Sequence, residues 1–147
     1  MSDALRVFDR TLLRARRRRA AALGPATFLL ERVAEDLAER LGAVLRDFPV
    51  AVDLGTPGEA LRHALARHPR LGTLIAVDAV ADHLPRGRPA VVADEELLPF
   101  RDASLDLVVS ALALQFANDL PGVLAQIRRA LKPDGLFLAA LLGGDTL

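Results

Sequence analysis

The chain has 147 residues, 52% hydrophobic and 26% charged, with 19 basic and 19 acidic side chains and a formal net charge of 0. This length and composition describe one globular domain with a real core and exclude a disordered chain. Cysteine is absent, which excludes disulfides and thiolate metal sites, and no apolar run approaches the roughly 18 residues of a membrane-spanning helix. No signal-peptide pattern precedes the first helical stretch, so a cytoplasmic protein is expected, or a mitochondrial-matrix one if the source is eukaryotic.

Residues 1–23 carry seven arginines (Arg6, Arg10, Arg14, Arg16, Arg17, Arg18, Arg19) against Asp3 and Asp9, a local balance of +5 on a body of −5. Such a segment is expected to dock, either within the chain or on a protein or carrier-protein substrate. Aromatic residues that stack on bases are missing there apart from Phe8, so a nucleic-acid partner is not favoured. Residues 3–21 lack proline and glycine and predict a helix with Leu5, Phe8, Leu12 and Ala15 on one face, broken at Gly24-Pro25. Thr27 is placed to cap a second helix with an apolar stripe of Phe28, Leu30, Val33, Leu37 and Leu41. These two helices define an expected N-terminal helical segment, residues 1–48, ahead of a second unit, residues 49–147.

From Val50 onward, apolar runs of strand length alternate with helical stretches. Strands are expected at Val50–Leu54, Thr73–Val77, Ala90–Ala93, Leu105–Ser110 and Leu136–Leu142, with helices near Glu59–Arg67 and Pro121–Leu131. Ala79–Arg88, with Pro85 and Gly87, has room only for one turn or an irregular segment. Strands apolar on both faces and joined through helices imply an α/β, Rossmann-like, doubly wound and mostly parallel sheet.

Ligands of such sheets sit beyond the carboxyl ends of the strands. The first predicted strand ends in Asp53 and the Gly55 turn, and the second in Asp78, 23 residues past Gly55. An acid at that spacing suits ribose hydroxyls. The third strand runs into Asp94, Glu95 and Glu96, and the fourth into Ser110, then Gln115, Phe116, Asn118 and Asp119. This many carboxylates would repel a phosphate-rich ligand, which favours a nucleoside with an amino-acid tail over a dinucleotide. Asp119, before Pro121, is also a natural helix cap. His63, His68 and His83 show no metal-ligand spacing and are expected on surfaces or helix ends; no metal site is expected.

These features together resemble the class I S-adenosylmethionine-dependent methyltransferase superfamily. The resemblance rests on Asp53-Leu54-Gly55, Asp78, Ala93-Asp94-Glu95-Glu96-Leu97-Leu98-Pro99-Phe100, Ser104-Leu105-Asp106-Leu107-Val108-Val109-Ser110 and Leu131-Lys132-Pro133-Asp134-Gly135. Val7-Phe8-Asp9-Arg10 with its arginine run, Leu112-Ala113-Leu114-Gln115-Phe116, Asn118-Asp119-Leu120-Pro121-Gly122 and Gly143-Gly144-Asp145-Thr146-Leu147 point to one branch. That branch contains the mitochondrial complex I assembly factor related to the BioC-type malonyl-carrier-protein methyltransferases. The resemblance implies S-adenosylmethionine as cofactor, with Asp53, Gly55, Asp78, Asp94, Glu95 and Ser110 on the cofactor side and Gln115, Phe116, Asn118 and Asp119 on the substrate side. It leaves methyl transfer, arginine-hydroxylase-like assembly work and a non-catalytic assembly module as three readings. Two departures bear on them. Pro57 and Glu59 stand where the superfamily turn has its second and third glycines, with Gly58 one residue away. The family domain also continues through a further helix and two strands, so a sheet ending near Leu147 is expected to leave an open edge for another chain.

Overall fold

A computed structural model describes residues 6–146; residues 3–5 of the first predicted helix and Leu147 lie outside them. Five strands form one sheet in the order β3-β2-β1-β4-β5, every neighbouring pair parallel. The strands are β1 (Phe48–Leu54), β2 (Leu71–Asp78), β3 (Ala90–Val92), β4 (Leu105–Ala111) and β5 (Leu131–Ala140). Successive side chains of β1 point to opposite faces, so Ala51 and Val52 enter two separate cores.

On one face lie α2 (Phe28–Gly42) and α3 (Ala60–Leu65). Leu30, Ala34, Leu37 and Leu41 fall at helical spacing along α2 and pack with Phe48, Ala51, Leu61, Leu65 and Leu107. Phe28, expected in that stripe, is 77% exposed: it is the first residue of α2, and the buried face starts at Leu30 and runs through Ala34, Leu37 and Leu41. The Thr27 hydroxyl donates to Glu31 Oε1 (2.6 Å) instead of capping a backbone N–H. On the other face α4 (Leu120–Ala130) buries Val123, Ile127 and Ala130 against Val52, Leu54, Val77, Leu105 and Val108. Each fully buried leucine or valine here contributes about 1.5–3 kcal/mol relative to exposure, so the two covered faces supply most of the fold's stability.

Helix α1 (Arg10–Leu23) is different: it has no buried residue. It begins at Arg10 rather than near residue 3 because Asp9 caps it, accepting from Leu12 N–H at 2.9 Å. Just before the cap, Val7 and Phe8 give their N–H groups to the Asn118 side chain (2.9 and 2.8 Å). Between β2 and β3 the chain makes only one 3₁₀ turn, Ala81–His83, as its length predicts.

β5 begins earlier than its apolar run. Leu131 already pairs with Leu105, and pairing resumes at Leu107 with Leu136, so Lys132-Pro133-Asp134-Gly135 bulges opposite Asp106. Asp106 secures this step, accepting from Lys132 Nζ (3.0 Å) and Val50 N–H (2.9 Å). The proline is tolerated because β5 is the outermost strand among the described residues.

Candidate functional site

The strand register sets the carboxyl edge. Leu54 pairs with Val77, Asp78 with Val92, Asp53 with Val109 and Ala111 with Ala140. The residues following β1, β2, β3 and β4 therefore rise from one rim. At its centre is the turn after β1. Gly55 has φ +70 and donates its N–H to Val77 O at 2.7 Å. A Cβ there would lie 2.6 Å from Glu95 Oε1 and 3.2 Å from Ala113 Cβ, so only glycine permits this approach. Thr56 is buried and its hydroxyl accepts Ala111 N–H (3.0 Å); Ser110 donates to Leu54 O (2.7 Å). Ser110 thus joins β4 to the end of β1. Pro57 contributes no N–H, and the left-handed step comes at Gly58 (φ +71), whose Cβ direction is open.

Asp53 is buried, and Oδ2 accepts from Arg62 Nη1 at 3.0 Å while Oδ1 has no bonded partner. Burial pushes its carboxyl up to about 6, against the Thr56 hydroxyl and the Arg62 guanidinium, which both hold it down. Arg62 also donates to His83 O (3.2 Å). At the end of β2, Asp78 is 2% exposed; Oδ1 accepts Val80 N–H (2.7 Å) and Oδ2 faces His83 Nδ1 at 3.0 Å. The Asp78 hydrogen bond raises the His83 pKa above its ordinary value, against burial, with further help from the Asp78 charge and the Arg17 backbone. Asp53, Arg62, His83 and Asp78 form a continuous polar chain along the rim.

The acids after β3 meet α1. Arg10 pairs with Asp94 and Glu95, Arg14 with Asp94 (3.2 Å), and Arg17 with Glu95 (3.0 Å). Positions 10, 14 and 17 lie on one helical face, which is the docking face. Both oxygens of Glu95 are engaged, and its side chain is 2% exposed. The basic segment is therefore docked within the chain, and these acids are neutralised. The expectation that they repel phosphate loses its basis for this physical reason.

Of the residues expected on the substrate side, Phe116 meets Phe8 edge-on (centroids 5.8 Å) and lies under the Arg17 guanidinium (5.6 Å). Asn118 holds the backbone of Val7 and Phe8, Asp119 caps α4 by accepting Gly122 N–H (3.0 Å), and Gln115 donates to Leu112 O (2.9 Å). Leu112, at the mouth of β4, adopts φ +53, a strained conformation of the kind that accumulates at functional rims. A cavity of about 700 Å³ is lined by residues 6–11, Arg14, Asp94, Glu96 and Asn118, and a second of about 330 Å³ lies between Arg17, Ala20, Pro57, Gly58 and His83. His83 and Arg62 are the residues of this rim that sequence reasoning missed. His83, expected on a surface or helix end, has a side chain only 7% exposed because Asp78 draws it inward. Arg10 and Arg17 fall in the expected docking segment, which does not specify the acids they meet. The only signal of His83 and Arg62 is charge, and a lone histidine or arginine on a helix carries no spacing to single it out. Among the described residues no cluster of histidine and acidic groups could hold a metal ion.

A five-stranded parallel sheet covered on both faces, with a glycine turn after β1 and an acid at the end of β2, defines an α/β protein of the Rossmann-like, doubly wound class. Residues 52–139 match the profile of the family described as a methyltransferase domain, and the chain belongs to that family. It is 42% identical over 156 residues to the mitochondrial arginine hydroxylase NDUFAF5 of Mus musculus, spanning 98% of this chain and 44% of that protein. It is 34% identical over 157 residues to the malonyl-[acyl-carrier protein] O-methyltransferase of Methylovorus sp., spanning 96% of this chain and 53% of that protein. A chain in the solved complex of the Haloferax volcanii Trm112 methyltransferase activator with a methyltransferase superposes with a TM-score of 0.71 at 27% identity, over 83% of this chain and 58% of that one. The chain spans about half the length of the curated relatives it matches.

Proposed function

We propose that this chain binds S-adenosylmethionine at the carboxyl edge of β1, β2 and β3 and serves methyl transfer to a protein or carrier-bound substrate. The observation that carries the reading is the shared rim: Gly55, Asp78 and Asp94 follow three adjacent parallel strands. The donor set fits the cofactor. Asp78 is a carboxylate suited to ribose hydroxyls, and Asp94 can accept from an exocyclic amine. The unpartnered Oδ1 of buried Asp53 is an acceptor beside the glycine turn. Pro57 removes one N–H from this cradle, and Gly58 restores the turn but not the donor. Ser110 supports the rim from beneath through Leu54 O. Glu95 contributes at one remove, by fixing α1.

When bound, the cofactor supplies an electrophilic methyl group. What the protein adds is alignment: the covered sheet faces hold the rim rigid, and α1 closes over it on one side. Gln115, Phe116, Asn118 and Asp119 stand after β4 as the substrate side, with Asn118 and Phe116 also gripping the residues ahead of α1. In this reading residues 1–48 form a helical cap and residues 49–147 the methyltransferase-like unit. Asn118 and Phe116 belong to the second unit and hold the first.

The similarity to a mitochondrial arginine hydroxylase over nearly the whole chain favours a second reading. There the same fold acts on a protein during assembly of respiratory complex I, by hydroxylation or as a non-catalytic module, in the mitochondrial matrix; a cytoplasmic location goes with the carrier-bound substrate. No helix among the described residues is long and apolar enough to cross a membrane. Calorimetric titration with S-adenosylhomocysteine tests the cofactor claim. Binding in the micromolar range, lost in Asp78→Asn, is the expected result. No heat from the wild-type chain at millimolar ligand would leave the non-catalytic module as the better account.

A further inference from the structure

Asp78 is not open in this structure. One oxygen accepts Val80 N–H, and the other is taken by His83, which reaches back across the 3₁₀ turn to within 3.0 Å. Both side chains are nearly sealed from solvent, at 2% and 7% exposure. His83 is itself braced, since Arg62 of α3 donates to its carbonyl. It also lines the smaller cavity, together with Arg17 of α1 and the Pro57-Gly58 turn.

We propose that His83 is a positioning residue that competes with a nucleoside for Asp78: its imidazole holds the carboxylate in the free protein, and ribose hydroxyls must take its place. This rests on the reading of Asp78 as the ribose acid and adds to it a gate. The displaced group is identified by its chemistry, because an imidazole N–H and a ribose hydroxyl both donate to a carboxylate oxygen in the same direction.

The pairing is strongest when His83 is protonated, so it competes best at low pH. Its pKa is raised, so the charge-assisted part of the contact is complete below the ordinary histidine value and is lost as pH rises through the raised one, leaving the weaker bond of a neutral imidazole N–H. The charged groups facing the imidazole are Asp78 from β2, Arg17 from α1, which opposes protonation, and Asp82 on its own turn, which is paired with Arg18. Asp53, linked through Arg62, titrates at about 6. Measurements kept at pH 7 and above, where Asp53 is already ionised, therefore leave Asp53 out of the comparison.

Adenosine is the probe, because it carries the ribose and has no group titrating in this range. The chain has three histidines, so their ring protons resolve in a proton NMR titration. Saturating adenosine is expected to lower the His83 midpoint by about one pH unit, a tenfold difference in affinity between the two protonation states, with His63 and His68 unmoved. In His83→Ala, adenosine binds several-fold more tightly at pH 7 and equally at pH 7 and 8.5. His83→Gln, which keeps the bulk and removes the charge, also loses the pH dependence. If adenosine binds but leaves the His83 midpoint unchanged, or if both variants bind more weakly than wild type, the gate is wrong and the cofactor reading stands. If neither adenosine nor S-adenosylhomocysteine binds wild type or variants, the cofactor reading fails and the gate with it. Should both variants misfold, the wild-type titration alone decides.

Discussion

A methyl group added at Gly55 and one added at Gly58 meet different surroundings, although both residues have φ near +70. At Gly55 the new atom runs into Glu95 and Ala113; at Gly58 it meets open space. Gly55→Ala is expected to cost about 2–3 kcal/mol in urea denaturation, from left-handed strain plus steric conflict. Gly58→Ala carries the strain alone, about 1 kcal/mol. Equal costs would mean that Glu95 does not sit against the turn. Asp53 makes a second residue-scale case. Its carboxyl is raised to about 6, so ionisation costs stability as pH rises from about 4 through 6, and Arg62 offsets that cost. Arg62→Met should therefore destabilise by about 3–5 kcal/mol at pH 8 and clearly less at pH 5, where Asp53 is protonated. Asp53, Gly55 and Asp78 could be picked out from position alone, because each ends a predicted strand. His83 and Arg62 could not, since only the folded turn and helix bring them to those acids.

At the scale of elements, α1 stands apart because it buries no residue and is tethered by Arg10, Arg14 and Arg17. Ion pairs near the surface weaken with salt, whereas the α2 packing does not. Glu95→Gln is expected to raise amide exchange over residues 10–23 by about tenfold or more and leave residues 28–42 unchanged. Raising salt to about 0.5 M should act in the same direction but more weakly on the wild-type chain, because it screens the partly exposed Arg14–Asp94 pair far more than the buried Glu95 pairs. Equal protection of the two helices in the variant would mean that the Phe8–Phe116 and Asn118 contacts hold α1 by themselves. The sheet and its helices were readable from the sequence where apolar runs were continuous: β1, β2, β4 and α4 lie within two residues of their expected bounds. The first half of β5 was not, because Lys132-Pro133-Asp134-Gly135 has the composition of a turn and becomes strand only through Asp106. The start of α1 was misplaced because Asn118, more than 100 residues away, takes the preceding N–H groups.

At the scale of the molecule, the +5 segment and the −5 body resolve into one internal contact. The arginine face of α1 lies on the acids after β3, and Arg16 and Arg19 remain exposed on the outer face. Two edges bound the sheet among the described residues: short β3, and longer β5, where Leu124, Ile127 and Phe137 line a cavity of about 530 Å³ with Pro133 and Gly135. A long unpaired strand beside apolar side chains is a surface on which further chain or a partner can pair. The central claim is that the rim after β1, β2 and β3 is one nucleoside site. Amide chemical-shift mapping with S-adenosylhomocysteine tests it most directly. The account predicts that the largest shifts fall together on Gly55 and Thr56, on 78–83 and on 94–95, with α2 and the β5 edge unaffected. Shifts confined to the groove of α2 and α3, or to the β5 edge, would contradict it.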